Sequence, residues 1–263
     1  DTSPMQFEFH SLFSGSKGNA SLVRFGETLL LVDAGVSCRA LETALRQRGV
    51  QPAALRAVLV THEHSDHIRG LPLFAKRYGT PVYASYGTWA SMQGQLPLPG
   101  RQRMEFDPDQ DFYIDGVNVS PFPIPHDTPM PVGYSLECMG KKVSFATDLG
   151  HTTPKILGCV ARSDVLLLEA NHDVEMLKAG PYPYSLKKRI LGRYGHLSND
   201  ACASALATLL PTGVHRVFLG HLSQENNSPE LALSAATSTA LALGAELDGD
   251  VFLRLTYQDR KST

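Results

Sequence analysis

The chain has 263 residues, 43% of them apolar, with 24 Lys and Arg against 26 Asp and Glu. That size and composition fit a single large α/β domain spanning 1–263 and exclude a disordered chain. A net charge of −2 excludes nucleic-acid binding through global positive charge alone, but not through a local basic strip.

The predicted elements alternate between strand and helix. Leu29 to Asp33 reads as a buried strand ending in a turn at Ala34-Gly35, and Ser37 caps a helix through about Gly49. Ala57 to Thr61 is the next strand and runs into a cluster of histidines. Pro81 to Ser85, Val143 to Thr147, Val165 to Leu168 and Arg216 to Leu219 are further strands, and Gly94 to Pro108 reads as a long surface loop. A helix starts at Ser198 or Asn199, and another at Ser228-Pro229-Glu230, a cap followed by proline at the first helical position. Val251 to Tyr257 alternates as a last strand. Such alternation predicts a layered α/β fold with mixed sheets.

No run of 18 apolar residues occurs, so no spanning helix and no membrane association are expected. The first residues carry no signal-peptide pattern. Cys38, Cys138, Cys159 and Cys202 are scattered and form no CxxC pair, which reads as reduced core thiols in a cytoplasmic protein.

Thr61-His62-Glu63-His64-Ser65-Asp66-His67 follows a strand directly and holds three of the ten histidines. Imidazole and carboxylate at this alternating spacing suit Zn, Mn or Fe: His62 and His64 reach one metal position, Asp66 and His67 a second. His126, Asp148 and His221 stand at the tips of later strands and converge if those strands share a sheet end. The prolines before His126 (Pro121, Pro123, Pro125) argue for an edge or loop. Asp33 is read as orienting a ligand histidine by hydrogen bond rather than binding metal itself.

With these motifs the chain resembles the metallo-β-lactamase superfamily. The resemblance implies an αββα sandwich, two mixed β-sheets flanked by helices, with a two-metal site at one edge. It places His62, His64 and His126 on the first metal, Asp66, His67 and His221 on the second, and Asp148 between them. The 22 residues from His126 to Asp148 are too few for the long arm of the tRNA 3′-processing nucleases, and the 48 from Asp148 to His196 too few for a β-CASP insertion. The 42 residues after His221 leave no room for the helical domain of glyoxalase II.

Leu168-Glu169-Ala170-Asn171-His172-Asp173, Gly195-His196-Leu197-Ser198-Asn199, Gly220-His221 to Asn227 and Ser14 to Asn19 narrow the likeness. They look like the YycJ/WalJ group of bacterial proteins, described as 5′→3′ DNA exonucleases with a suggested repair role. Two divalent ions, Mn²⁺ favoured and Zn²⁺ close behind, would supply an activated bridging hydroxide, oriented by Asp66, and a clamp on the phosphate. The resemblance makes His196 the donor of a proton to the leaving oxygen and Glu169 its partner. Ser198 and Asn199 at a helix start, Ser223, Asn226 and Asn227 after a ligand, and Ser16 and Lys17 in a glycine loop are candidate contacts to phosphate. Lys187, Lys188, Arg189 and Arg193 form the densest basic cluster. Arg101 and Arg103 lie in the predicted loop, where Trp89 and Tyr86 would stack on bases. The expected substrate is DNA, a single strand or a duplex end, with RNA as a further candidate; no protein partner is legible. A small-molecule hydrolase of the same fold (thioesterase, lactonase or cyclic phosphodiesterase) is the alternative, favoured by a deep closed pocket. A metal-free binding module is the third reading, and the ligand set argues against it.

Overall fold

The structure, a computed structural model, describes residues 6–256. It builds two mixed sheets. The first is ordered β1 (Phe7–Phe13), β2 (Ala20–Phe25), β3 (Thr28–Val32), β4 (Ala57–Leu59), β5 (Val82–Ser85), β6 (Arg103–Phe106). The second runs from β7 (Phe112–Ile114) through β8 (Val117–Pro123), β9 (Val132–Cys138), β10 (Lys141–Ala146), β11 (Val165–Glu169) and β12 (Arg216–Gly220) to β13 (Phe252–Leu255). In each sheet an antiparallel meander leads into parallel strands: β3 to β6 in the first, β10 to β13 in the second.

Helices α1 (Cys38–Gln47), α2 (Ser65–Ile68), α3 (Leu71–Tyr78) and α4 (Tyr86–Ser91) belong to the first half. The second half holds α5 (Pro154–Val160), α6 (Val174–Ala179), α7 (Tyr184–Leu191), α8 (Asn199–Leu209) and α9 (Pro229–Ala242). Period-2 alternation sets the layers. Leu29 and Leu31 pack with Leu41, Leu45 and Phe74 of α1 and α3, while Leu30 and Val32 face the second sheet. Leu166 and Leu168 pack with Leu206, Leu209 and Ala236 of α8 and α9, while Val165 and Leu167 face the first sheet. Three apolar layers therefore separate helix, sheet, sheet and helix, as expected. Ser37, Ser198 and Ser228 cap α1, α8 and α9. No domain is inserted between Asp148 and His196.

Three expectations need correction. Gly94 to Pro108 is not all loop, because Arg103–Phe106 pairs in parallel with β5 as an edge strand. Trp89 is not available to bases: it is buried in the core and its Nε1 donates to the Met104 carbonyl at 2.9 Å. The segment before His126 is a strand one place in from the sheet edge. Its prolines are tolerated because β7 pairs only with Val117–Val119. Ile124 N–H bonds toward β9, so by alternation the nitrogens of Pro121 and Pro123 face the side β7 does not reach. In the predicted final strand, Phe252–Leu255 pairs with β12, and Tyr257 lies outside the described residues.

The two sheets deliver their strand ends to one rim. Parallel β3 and β4 end at Asp33 and Thr61-His62, and parallel β10, β11 and β12 end at Asp148, Glu169 and His221. β8 runs in the same direction as β10, since both are antiparallel to β9, so His126 arrives at the same rim. Gly35 closes the loop here by necessity: a Cβ would sit 1.6 Å from the Asp66 carbonyl oxygen.

Candidate metal centre

Four of the five histidines of the cluster are oriented by a hydrogen bond from the outer nitrogen. His67 Nδ1 is 2.7 Å from Asp33 Oδ2 and His126 Nδ1 3.2 Å from the Gly195 carbonyl. His221 Nδ1 is 3.1 Å from Glu169 Oε1. Thr61 Oγ1 donates to Asp33 Oδ2 at 2.8 Å and so accepts from His62 Nδ1 at 3.0 Å. With Nδ1 acting as donor in all four, Nε2 is turned inward as a lone-pair donor, the arrangement metal-binding histidines adopt. His64 instead turns its Nδ1 inward, 3.1 Å from His62 Nε2. Glu63, between the two, points away to Thr128.

Two donor triads result, His62 with His64 and His126, and Asp66 with His67 and His221, each with atoms within 4.8 Å of one another. Asp148 lies between them. Its Oδ2 is 3.2 Å from His67 Nε2, and its Oδ1 is 3.3 Å from His221 Nε2 and 3.8 Å from His126 Nε2. These are ion-pair contacts, not aligned hydrogen bonds, because His126 Nε2, His221 Nε2 and Asp148 Oδ2 are buried without a hydrogen-bond partner. Orphaned donors converging from three strands suit a cation better than they suit one another. The residues therefore fit divalent metal ions, and an all-nitrogen and oxygen set suits Mn²⁺ or Zn²⁺.

Electrostatics follow from the same geometry. Burial, reinforced by the neighbouring histidines and opposed by Asp148, pushes His62 well below the usual imidazole range, and burial also lowers His126. Burial opposes protonation of His67 and His221 too. The Asp148 carboxylate, with Asp33 at one and Asp66 and Glu169 at the other, outweighs it and holds both well above that range. Asp66 and Asp148 are lowered despite burial, by the histidines around them.

Glu169 is fully buried. Its Oε1 is 2.8 Å from His196 Nδ1, and its Oε2 accepts from the backbone of Leu197 at 2.9 Å and Leu149 at 3.1 Å. Burial would raise its pKa, but His196 and His221 bring it down to about 2. The same pair raises His196 against its own burial. His196 remains partly open to solvent and, with His64 and Asp66, forms the exposed side of the cluster. Glu169 thus contacts both His196 and His221, where the sequence suggested only the first.

The candidate phosphate contacts divide. Ser16 and Lys17 are exposed on their loop, and the Lys17 carbonyl accepts from Arg69. Ser198 is half-buried and spends its hydroxyl on the α8 cap; Ser223 is half-buried and accepts from the Asn226 backbone. Asn199 and Asn227 are buried and exchange reciprocal amide hydrogen bonds of 2.8 and 3.0 Å. Asn226 is buried at 1% exposure. Asn199 and Asn227 are thereby corrected to a structural role, tying the His221 loop to α8, whereas Asn226 contacts Ser223 within its own loop and leaves its Oδ1 without a hydrogen-bond partner.

Sequence reasoning missed Ser14 and Asn19. Ser14 Oγ accepts from the His221 backbone at 2.9 Å, and Asn19 Nδ2 lies 3.3 Å from Asp66 Oδ2 and 3.2 Å from His67 Nε2. The signal was present in the Ser14-to-Asn19 loop, but its inward residues are the first and last, not the central Ser16 and Lys17. Asn171, whose amide donates to the His221 carbonyl at 2.8 Å, was also missed.

The profile of the beta-lactamase superfamily domain matches residues 28–222. The chain belongs to that superfamily. Within it, the chain is 38% identical over 229 residues to the exodeoxyribonuclease YycJ of Bacillus anthracis, covering 87% of each. It is 36% identical over 255 residues to the exodeoxyribonuclease WalJ of Streptococcus pneumoniae, covering 95% of each. Among solved structures, the metallo-β-lactamase fold protein YhfI of Bacillus subtilis superposes with a TM-score of 0.74 at 16% identity, over 96% of this chain and 98% of that one. Superfamily membership and this fold imply divalent metal ions and make the chain a metal-dependent hydrolase. No helix among the described residues is long and apolar enough to cross a membrane.

Proposed function

We propose that this chain is a two-metal phosphodiesterase that degrades DNA from the 5′ end, with RNA as a second substrate and a cytoplasmic role in DNA repair. The carrying observation is the Glu169–His196 pair, 2.8 Å apart, on the open side of the seven donors. The relatives named exodeoxyribonucleases supply the substrate class. His62, His64 and His126 would hold one ion, Asp66, His67 and His221 the other, and Asp148 both; Mn²⁺ is favoured over Zn²⁺. Bound there, two divalent ions lower the pKa of an attacking water and clamp the phosphate oxygens.

The protein's own groups do the rest. Asp66 has one oxygen against Asn19 and His67, and its other oxygen can accept a hydrogen bond that orients an attacking water. His196, held protonated on Nδ1 by Glu169, presents Nε2 to the leaving oxygen as its acid. Asp33 fixes His67. Ser16, Lys17, Ser198 and Ser223 remain the phosphate contacts. The cavity between His126, Asp127, Arg189 and His196 has a volume of ≈ 130 Å³. It lies beside the centre and takes in neither His62, His64, Asp66 nor Asp148, so the preference for a polymer end over the small-molecule alternative rests on the relatives named exodeoxyribonucleases.

A time course on 5′- and 3′-labelled oligonucleotides with Mn²⁺, Zn²⁺ or chelator tests this. Immediate mononucleotide release from the 5′-labelled strand, abolished by chelator, is expected. No cleavage by protein shown to hold two ions would move the assignment to the small-molecule hydrolase.

A further inference from the structure

Residues 174–194, between Asn171 and His196, carry five cations (Lys178, Lys187, Lys188, Arg189, Arg193) against one acid, Glu175. This stretch has a net charge of +4 in a chain of −2, so the remainder stands at −6. Its helix α7 buries none of its eight residues. Tyr184 is 81% exposed and Tyr194 57%. A short helix with no buried face is not held by a core. It is fastened at its end beside the metal centre: His196 N–H bonds to the Ile190 carbonyl at 3.1 Å, His126 to the Gly195 carbonyl, and His151 to the Arg193 carbonyl. Gly195 is required there, since a Cβ would meet the Ile190 oxygen at 2.1 Å. Arg189 is committed to Asp127; Lys187 donates only to the Lys178 carbonyl, and Lys187, Lys188 and Arg193 make no ion pair among the described residues. Leu186 and Ile190 turn toward the cavity at His126 and His196. On the other side Lys178, Tyr184, Lys187, Lys188 and Leu191 line a groove of ≈ 620 Å³.

We propose that α6 and α7 form the track along which one nucleic-acid strand leaves the metal centre, with Lys187, Lys188 and Arg193 at phosphates and Tyr184 and Tyr194 under bases. The assignment rests on the phosphodiesterase reading above. It resolves the charge problem of an acidic chain with an anionic polymer as substrate: the positive charge is concentrated beside the site. Exposed tyrosines interleaved with cations are the pattern that binds single strands without sequence preference, through stacking and phosphate contact.

The test compares two substrates on the metal-loaded protein. Thymidine 5′-(p-nitrophenyl phosphate) is too short to leave the centre; a 5′-phosphorylated single-stranded 12-mer reaches the track. K187A/K188A/R193A and Y184A/Y194A are each expected to lose about tenfold or more in kcat/KM on the 12-mer, with the ester within about twofold of the parent. For the triple variant the log–log salt slope of 12-mer binding should fall by about 2, from ~0.7 per phosphate contact on single strands. Equal loss on both substrates, or none on the 12-mer, would overturn the track. So would a triple variant that keeps 12-mer turnover and instead loses binding to phosphatidylglycerol vesicles, which would assign the patch to a lipid surface. A parent protein that cleaves the ester but gains nothing from the 12-mer would overturn the nuclease reading itself. A parent whose gain survives in both variants overturns the track alone.

Discussion

Replacing Glu169 by glutamine separates positioning from bulk packing, because the side chain is fully buried and the change nearly isosteric. Two backbone N–H groups, of Leu149 and Leu197, donate to Oε2. The amide oxygen of Gln must take that position, since an NH₂ there would leave two buried donors facing two more, at about 1–3 kcal/mol each. The NH₂ then falls where Oε1 stood, 2.8 Å from His196 Nδ1 and 3.1 Å from His221 Nδ1. An amide donates, so each Nδ1 facing it must accept, and the proton of that neutral ring moves to Nε2. At His221 this blocks the inward lone pair. At His196 it removes the carboxylate that favours imidazolium, and the ring becomes a poor acid. Loss of an outer hydrogen-bond partner typically costs about 10- to 100-fold in metal affinity, and loss of general acid catalysis about 100-fold or more in rate. E169Q should therefore bind its ions more weakly and, at saturating metal, lose about 100-fold in kcat on DNA. It should lose much less on a p-nitrophenyl ester, whose leaving group needs no proton. Metal titration by calorimetry and turnover on the two substrates check both halves. Parental metal affinity together with parental kcat on DNA would refute the tautomer reasoning.

Other outcomes follow from the same geometry. His64→Ala and Asp148→Ala should each abolish hydrolysis and reduce the metal measured by elemental analysis; full turnover in either would sink the two-metal mechanism. His196→Ala should slow DNA cleavage about 100-fold with metal content intact, and loss of metal would instead make it a ligand. Chelation should lower the melting temperature: an ion held at 100 times its Kd stabilises by about 2.7 kcal/mol, roughly 5–11 °C for a chain of this size. An unchanged melt after measured metal loss would refute that. His172 is 1% exposed, and burial lowers its pKa to about 4. Its folded pKa lies below the unfolded value of about 6.5, so its stabilising contribution is full above pH 6.5 and is lost as pH falls toward 4. The loss is about 3 kcal/mol, and urea melts of the parent and His172→Gln at pH 7 and 4.5 should diverge by about that amount. Parallel slopes would show that the ring titrates freely.

Much of the fold was legible because hydrophobic runs and caps act locally. Leu29 to Val32 can only be a strand buried on both faces, and Ser228-Pro229 can only begin a helix. The antiparallel strands hid better. β9 places Gly133 and Ser135 at buried positions, breaking the apolar run that marks a parallel strand such as β11. Gly133 is there for a tertiary reason: a Cβ would lie 2.4 Å from the Phe122 ring. β6 reads as loop because only Phe106 of its four residues is buried. At the site, ligand types and spacing were legible, but local sequence cannot show which polar residues are consumed by one another. Asn199 and Asn227, 28 positions apart, look like phosphate contacts until their amides are seen paired. Asn19 looks like a turn residue until Asp66, 47 positions on, is placed beside it.

The backbone explains how residues from separate strands aim at one point. Asp33, Asp148 and His221 have φ of 63°, 58° and 56°, in the left-handed region that non-glycine residues seldom occupy. Asp33 and His221 stand directly after strands of the parallel set and Asp148 one residue further on, where continued extension would carry the side chain past the rim. The reversal in φ swings each side chain back over the strand ends. Such conformations cost of order 1–3 kcal/mol each and persist only where surrounding contacts hold them. At Asp33 the contacts are the backbone and hydroxyl of Thr61 and the ring of His67; at His221 they are Ser14, Asn171 and Glu169. Asp148 has no comparable set: its Oδ2 is orphaned, and its contacts are the histidines of the cluster. Its strain and its burial are thus the part of this fold that the protein's own hydrogen bonds leave uncompensated. Divalent ions bound at the triads on either side of Asp148 would offer the counter-charge that these contacts lack.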